Sequence, residues 1–203
     1  MTVHLLLVSG SRSNPLFVAQ SLPTAVGGNP RALAFGDLNR DGRADLVVAK
    51  RNPNEIAVLL GKGDGTFDLA TRLPAASRPI CVVTGDANLD GLTDVIVAHD
   101  STAVLSVRLG TGDGAFRPEI AVPTGRFPVH IVMADLNRDG KPDLATANPG
   151  TGTVSVHLGR GADRRMQGLS FFVNPSPGHE CDTRVRVQPA SWGRVKALYG
   201  GAR

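Results

Sequence analysis

The chain has 203 residues, 4% of them aromatic, with 24 glycines and 14 prolines, which suits one ordinary domain or a short repeat array of turn-rich, all-β character. Its net charge of +4 is unevenly placed: residues 1–163 carry 15 basic and 16 acidic side chains, residues 164–203 seven and two. Nucleic-acid binding by the first 163 residues therefore has no support, no stretch is long and apolar enough to insert in a membrane, and the two cysteines, Cys81 and Cys181, do not make a disulfide framework.

Residues 3–8 (Val-His-Leu-Leu-Leu-Val) form a short apolar run without a basic region before it, so they do not read as a signal peptide. The run precedes Phe17 much as residues 56–60 precede Phe67. It is expected to be the last strand of a unit whose beginning is absent, over residues 1–15.

The unit itself is announced by three acidic segments. Asp37-Leu38-Asn39-Arg40-Asp41-Gly42-Arg43-Ala44-Asp45 returns 49 residues later as Asp86-Ala87-Asn88-Leu89-Asp90-Gly91-Leu92-Thr93-Asp94, and again at the same interval as Asp135-Leu136-Asn137-Arg138-Asp139-Gly140-Lys141-Pro142-Asp143. A fixed period of this size marks a repeat architecture. The period extends beyond the acidic segments, since Leu60-Gly61-Lys62-Gly63-Asp64-Gly65-Thr66-Phe67 recurs as Leu109-Gly110-Thr111-Gly112-Asp113-Gly114-Ala115-Phe116. In the middle unit the apolar runs are 67–73, 80–84, 94–98 and 103–109, each too short for a helix and rich in Val, Ile, Leu and Thr. Pro30, Pro79 and Pro128 hold the same place in the three units and suit strand entries. Four strands per unit of this length is the size of one propeller blade.

The acidic segments have the chemistry of a calcium loop. Calcium takes six to eight hard oxygen ligands in a flexible shell. In the first copy positions 1, 3 and 5 offer the side-chain oxygens of Asp37, Asn39 and Asp41, position 7 the Arg43 carbonyl, and position 9 the closing carboxylate of Asp45. The second site would be Asp86, Asn88, Asp90, the Leu92 carbonyl and Asp94; the third Asp135, Asn137, Asp139, the Lys141 carbonyl and Asp143. Glycine stands at position 6, where the chain must turn sharply. An EF-hand needs a glutamate at position 12 and flanking helices, whereas position 12 is Val48, Val97 or Thr146 and a strand follows. Neither His nor Cys enters the pattern, which argues against transition metals. Magnesium demands a stricter octahedral shell. The bland alternative is a metal-free Asp/Asn/Gly turn, but three carboxylates at identical places in every copy repel one another without a cation. At a Kd of roughly 10⁻⁴ M and millimolar calcium, each site would stabilise the fold by about 1.4 kcal/mol, so the metal is expected to be structural.

The three Asp-x-Asn-x-Asp-Gly-x-x-Asp loops, the Gly-x-Gly-Asp-Gly-x-Phe turns and the Phe35-Gly36 pair resemble the FG-GAP/VCBS type of repeat, over roughly residues 1–161. The resemblance implies an all-β fold, a partial β-propeller of about three four-stranded antiparallel blades over 16–163, followed by an irregular basic tail over 164–203. It further implies a non-catalytic calcium-binding module for adhesion or recognition of a protein or glycan ligand, at the cell surface or outside the cell. Two alternatives are a carbohydrate-binding lectin and an accessory domain of a larger secreted enzyme. Sugar-stacking residues argue against the lectin, because Trp192 and Tyr199 both lie in the tail. No catalytic Ser/His/Asp or Cys/His grouping stands out, and the glycine turns lead into a strand rather than the helix a phosphate loop needs. Cys81 and His130 occupy matching strand positions and read as core packing.

Past residue 161 the signature fades. Ala162, Asp163 and Arg165 stand where Asp, Gly and Phe are due, and Arg184, Arg186 and Gln188 where a fourth loop would place ligands. Three units and a leading strand do not fill a ring of four to eight blades. Either further blades in a longer chain or self-association is expected.

Overall fold

A computed structural model describes residues 2–3, 24–160, 167–172 and 186–187. Among these there is no helix. The first sheet contains β3 (Pro30–Gly36), β4 (Asp45–Arg51), β5 (Asn54–Gly61) and β6 (Phe67–Pro74), following the short pair β1 (Thr2–Val3) and β2 (Thr24–Ala25). The second contains β7 (Pro79–Gly85), β8 (Asp94–His99), β9 (Val104–Arg108) and β10 (Ile120–Pro123). The third contains β11 (His130–Ala134), β12 (Asp143–Asn148), β13 (Thr153–Leu158), β14 (Gln167–Phe172) and β15 (Arg186–Val187). Strand order follows chain order in every sheet and all pairings are antiparallel. These are blade-like meanders of a partial propeller, and the described strands close no barrel.

The grouping differs by one strand from the unit read off the sequence. The 67–73 run closes the first sheet against β5 and does not open the second. The tight turn at 61–67 explains this, since a short glycine-rich connection joins antiparallel neighbours. The long acidic loop instead joins β3 to β4, where Gly36 pairs with Asp45. The strand period also outlasts the turn signature: β14 begins 100 residues after β6 begins and pairs along the whole of β13. Backbone pairing needs alternation rather than a particular turn, so the pairing survives the loss of the turn residues. Most of the tail beyond it, and the leading run at 4–8, lie outside the described residues.

Entry prolines begin β3 and β7, and each is followed by a register shift, between Pro30 and Ala32 and between Pro79 and Cys81. A residue without an N–H opens the ladder and the next one bulges.

The second strands carry the core. Every residue of β8, and all of β4 except Arg51, is buried on both faces of the sheet. Val47, Ala49, Ile56 and Val58 of the first sheet pack with Leu38 against Val82, Val95 and Val97 of the second. Ile96, Ala98, Leu105 and Val107 of the second pack with Ala87 against Ile131 and Leu144 of the third. Fully burying one such side chain contributes about 1.5–3 kcal/mol, so stacking of sheets, rather than any single sheet, supplies the stability.

Candidate functional site

Each acidic loop leaves the first strand of a sheet and returns as its second. Its backbone passes twice through left-handed conformations. Gly42, Gly91 and Gly140 at position 6 have φ of 77°, 79° and 80°, where a Cβ would be strained. Position 4 also turns left-handed, at Arg40, Leu89 and Arg138, with φ of 62°, 61° and 59°. No glycine marks this second position in the sequence, so the residue pattern gave no sign of it.

Positions 1, 3 and 5 come together. In the first loop the Asp41 amide donates to Asp37 Oδ1 and Asn39 Oδ1, both at 3.2 Å. The Gly42 amide donates to Asp37 Oδ2 at 3.0 Å, and the Arg43 amide to Asp41 Oδ1 at 2.9 Å. Asn39 Nδ2 donates to Asp41 Oδ2 at 3.1 Å. The second loop repeats all five bonds with Asp86, Asn88, Asp90, Gly91 and Leu92. The third repeats the four backbone ones with Asp135, Asn137, Asp139, Gly140 and Lys141.

Position 9 is buried in the core. Asp45, Asp94 and Asp143 are fully buried. Asp45 Oδ2 accepts the Leu38 amide at 2.8 Å and its Oδ1 the Gly61 amide at 2.8 Å. Asp94 receives Ala87 and Gly110, and Asp143 receives Leu136 and Gly159, at 2.8–2.9 Å. Each aspartate thus joins its own loop to the glycine turn two strands later. The approach is close enough to require glycine there: a Cβ on Gly61, Gly110 or Gly159 would come within 2.1, 2.3 or 2.0 Å of the carbonyl oxygen of Ala44, Thr93 or Pro142. A further link runs between sheets, from the Gly114 amide to the Leu38 carbonyl at 3.0 Å.

Burial pushes the Asp94 carboxyl up to about 6; the Gly110 and Ala87 amides oppose this, and the nearby Asp90 and Asp86 carboxylates add to it. All donors in the loops are oxygens, as a hard cation requires. Every carboxylate oxygen retains lone-pair capacity beyond one N–H bond. Among the described residues, however, no three His, Cys, Asp or Glu side chains converge to hold a metal ion. The donor set fits calcium by chemistry, while its arrangement is that of a self-bonded turn.

The glycine turns are closed by their own side chains. Asp64 Oδ1 accepts the Thr66 amide at 2.9 Å and hydroxyl at 2.6 Å, and Asp113 Oδ1 accepts the Ala115 amide and the Thr111 hydroxyl. The two hydroxyls are the main reason both carboxyls lie below the ordinary aspartate range.

Sequence reading missed a second periodic set. Lys50, His99 and Asn148 share one repeat position at the end of the second strand, and all are buried. Lys50 Nζ donates to the Val26 carbonyl at 2.7 Å and pairs with Glu55. Asn148 Nδ2 donates to Thr153 and Ser155. His99 contacts the Ser77 carbonyl through Nδ1 and Ser106 Oγ through Nε2 at 2.7 Å, and Ser106 donates to Glu119 Oε1 at 2.6 Å. Here the carboxylate meets the serine rather than the histidine, and His99 and Ser106 are closed to solvent. The arrangement therefore lacks the order and access of a catalytic triad. The only signal in the sequence is a polar residue ending each apolar run. Cys81 packs at the edge of the core with a free thiol, which burial pushes up. The core reading fails for His130, which is exposed.

The profile of the FG-GAP-like repeat matches residues 37–97 and again residues 86–146, together more than half of the chain. The chain belongs to the FG-GAP-like repeat family. Both matches begin at position 1 of an acidic loop and run through the next loop into its following strand. The loop of this FG-GAP-like chain, rather than the glycine turn, is thus the common origin of the two matches. A search of the curated proteins finds none that matches. No helix among the described residues is long and apolar enough to cross a membrane.

Proposed function

We propose that this β-propeller-like module is non-catalytic and recognises a protein or glycan ligand outside the cell or at its surface, with calcium holding its loops. The observation that carries the metal reading is the threefold recurrence of gathered oxygen donors at Asp37, Asn39 and Asp41, at Asp86, Asn88 and Asp90, and at Asp135, Asn137 and Asp139. These side chains, with the carbonyls of Arg43, Leu92 and Lys141 and the carboxylates of Asp45, Asp94 and Asp143, would hold up to three ions. Bound calcium would supply neutralisation of the crowded carboxylates, and thereby rigidity. Burial is the main cause of the raised Asp94 carboxyl, and the Asp90 and Asp86 carboxylates add to it, a repulsion that a cation in the second loop would relieve.

A metal-free turn is the competing reading, favoured by the backbone N–H partners that every loop carboxylate already has. Thermal unfolding in EDTA and in millimolar calcium separates the two. A rise in Tm with calcium, saturating at up to three ions per chain in isothermal titration, supports the proposal; identical Tm values and no binding heat favour the turn.

A further inference from the structure

Each sheet is met by the segment of chain that enters it, and the repeat makes the three contacts comparable position by position. Val26, Ala75 and Thr124 share one place, ahead of β3, β7 and β11. On the first sheet Val26 closes an apolar cluster with Leu46, Val48, Ala57 and Leu59. On the second, Ala75 packs against the cluster that holds Val95 and Val97. On the third, the places of Val48, Ala57 and Leu59 are taken by Thr146, Ser155 and His157, all buried. Leu144 packs with the second sheet, and alternation along β12 turns Thr146 the same way. Thr124 Oγ1 lies 2.8 Å from Thr146 Oγ1 and 3.4 Å from His157 Nε2, and the Gly125 amide donates to Ser155 Oγ at 3.2 Å. His157 Nδ1 is buried without a hydrogen-bond partner. His99, the buried histidine of the second sheet, differs in this respect: the Ser77 carbonyl meets its Nδ1 and Ser106 Oγ its Nε2, with Glu119 beyond Ser106.

We propose that the molecule opens in acid at one seam, between the second and third sheets, with His157 taking up the proton and Thr124 giving way. An imidazolium donates from both nitrogens. At His99 both N–H groups would find an oxygen inside the closed structure. At His157 a neutral ring that donates from Nε2 to Thr124 keeps a lone pair on Nδ1. A solvent proton bonded there turns it into a charged donor with no acceptor, which only separation of the seam supplies with water. The charged groups around the seam are engaged elsewhere. Arg126 lies over the Phe127 ring, Glu119 is held by Ser106 and Arg108, and Asp143 by the Leu136 and Gly159 amides; His130 of β11 is exposed. Burial alone holds the His157 imidazole below the ordinary histidine range. Opening returns the ring to that range, so the opened form binds the proton better and gains population as pH falls below about 6.5. The cluster around Val26 on the first sheet, all of it apolar, has nothing to titrate. The inference does not depend on the calcium reading.

Hydrogen exchange on the whole chain tests it, in EDTA so that metal release plays no part, at about pH 7.5 and about pH 5. After correction for the intrinsic exchange rate, amides of β11, β12 and β13 should exchange at least about tenfold faster at the lower pH, while β4 and β5 change little. Equal acceleration in the first and third sheets, or none in the third, overturns the proposal. His157→Leu, which restores the residue type of Leu59, should abolish the acid-dependent part. His157→Gln, polar but without a titrating ring, should do the same should the leucine variant fail to fold. His99→Gln should leave the opening of the third sheet in place. Acid opening that persists in both His157 variants, or that His99→Gln removes, assigns the proton to another group and rejects the seam.

Discussion

The Asp45 carboxylate accepts the amide of Gly61, 16 residues further along the chain, at 2.8 Å in the buried interior. Its other oxygen accepts the amide of Leu38. One side chain therefore fixes both the acidic loop and the glycine turn. Replacing it with alanine strands two buried N–H donors, each costing about 1–3 kcal/mol. Asp45→Ala should lower unfolding free energy by about 3 kcal/mol in urea titrations, and Asp45→Asn by less. If Asp45 is also a ligand, the loss measured in calcium exceeds that in EDTA; equal losses would confine it to the bonding seen here.

The left-handed residues of the second loop predict substitutions of opposite sign. Gly91 has φ of 79° and nothing within 4 Å of an added Cβ, so Gly91→Ala meets backbone strain alone, about 1 kcal/mol. Leu89 holds φ of 61° and is half exposed. Asparagine tolerates that conformation better, and Leu89→Asn should gain about 0.5 kcal/mol. Differential scanning calorimetry of the two variants reads both shifts.

Leu38 is 2% exposed and packs between the first and second sheets although it belongs to the loop. Leu38→Ala should cost about 2–5 kcal/mol, as other buried leucines do. Hydrogen exchange would show loss of protection in β7 as well as in the first loop. Loosening confined to the loop would contradict its role between sheets.

Burial holds the imidazoles of His99 and His157 below the ordinary histidine range. The folded state then binds their protons more weakly than the unfolded chain, so their contribution is complete above about 6.5 and is lost as pH falls through the folded values. Asp94 acts oppositely, since its carboxyl is raised from 3.8 to about 6: stability from this group increases as pH falls across that interval. A difference between variants isolates one group. The position of His157 is occupied by buried Leu59 in the first sheet, so His157→Leu should flatten the fall in urea midpoint between neutral and mildly acidic pH. An unchanged slope would mean His157 titrates alike folded and unfolded.

Much of this molecule was legible because period and alternation are properties of backbone pairing. The strand entries at Pro30 and Pro79 and the sharp turns at Gly42 and Gly91 could be placed from residue type alone. The membership of β6 could not, because a run such as 67–73 pairs equally well forward or backward until the turn before it is built. Nor could the role of Asp45 be seen, since a carboxylate facing amides and one facing an ion have the same spelling. Lys50 and His99 were hidden for a related reason: their partners, the Val26 carbonyl and Ser106 among them, become neighbours only when strands pair and sheets stack. His130 misled in the other direction, looking like Cys81 but standing on a face of the third sheet that no other described sheet covers.

The buried second strands have one more consequence. Side chains of β6 and β10 are mostly exposed, while β4 and β8 are enclosed on both faces. Tolerance to change is therefore graded across each meander, from an inner strand that any new volume would disrupt to an outer one that accepts foreign residues. New surface residues could be introduced on those outer edges, by directed evolution or peptide grafting, while the stacking that keeps the molecule folded stays untouched.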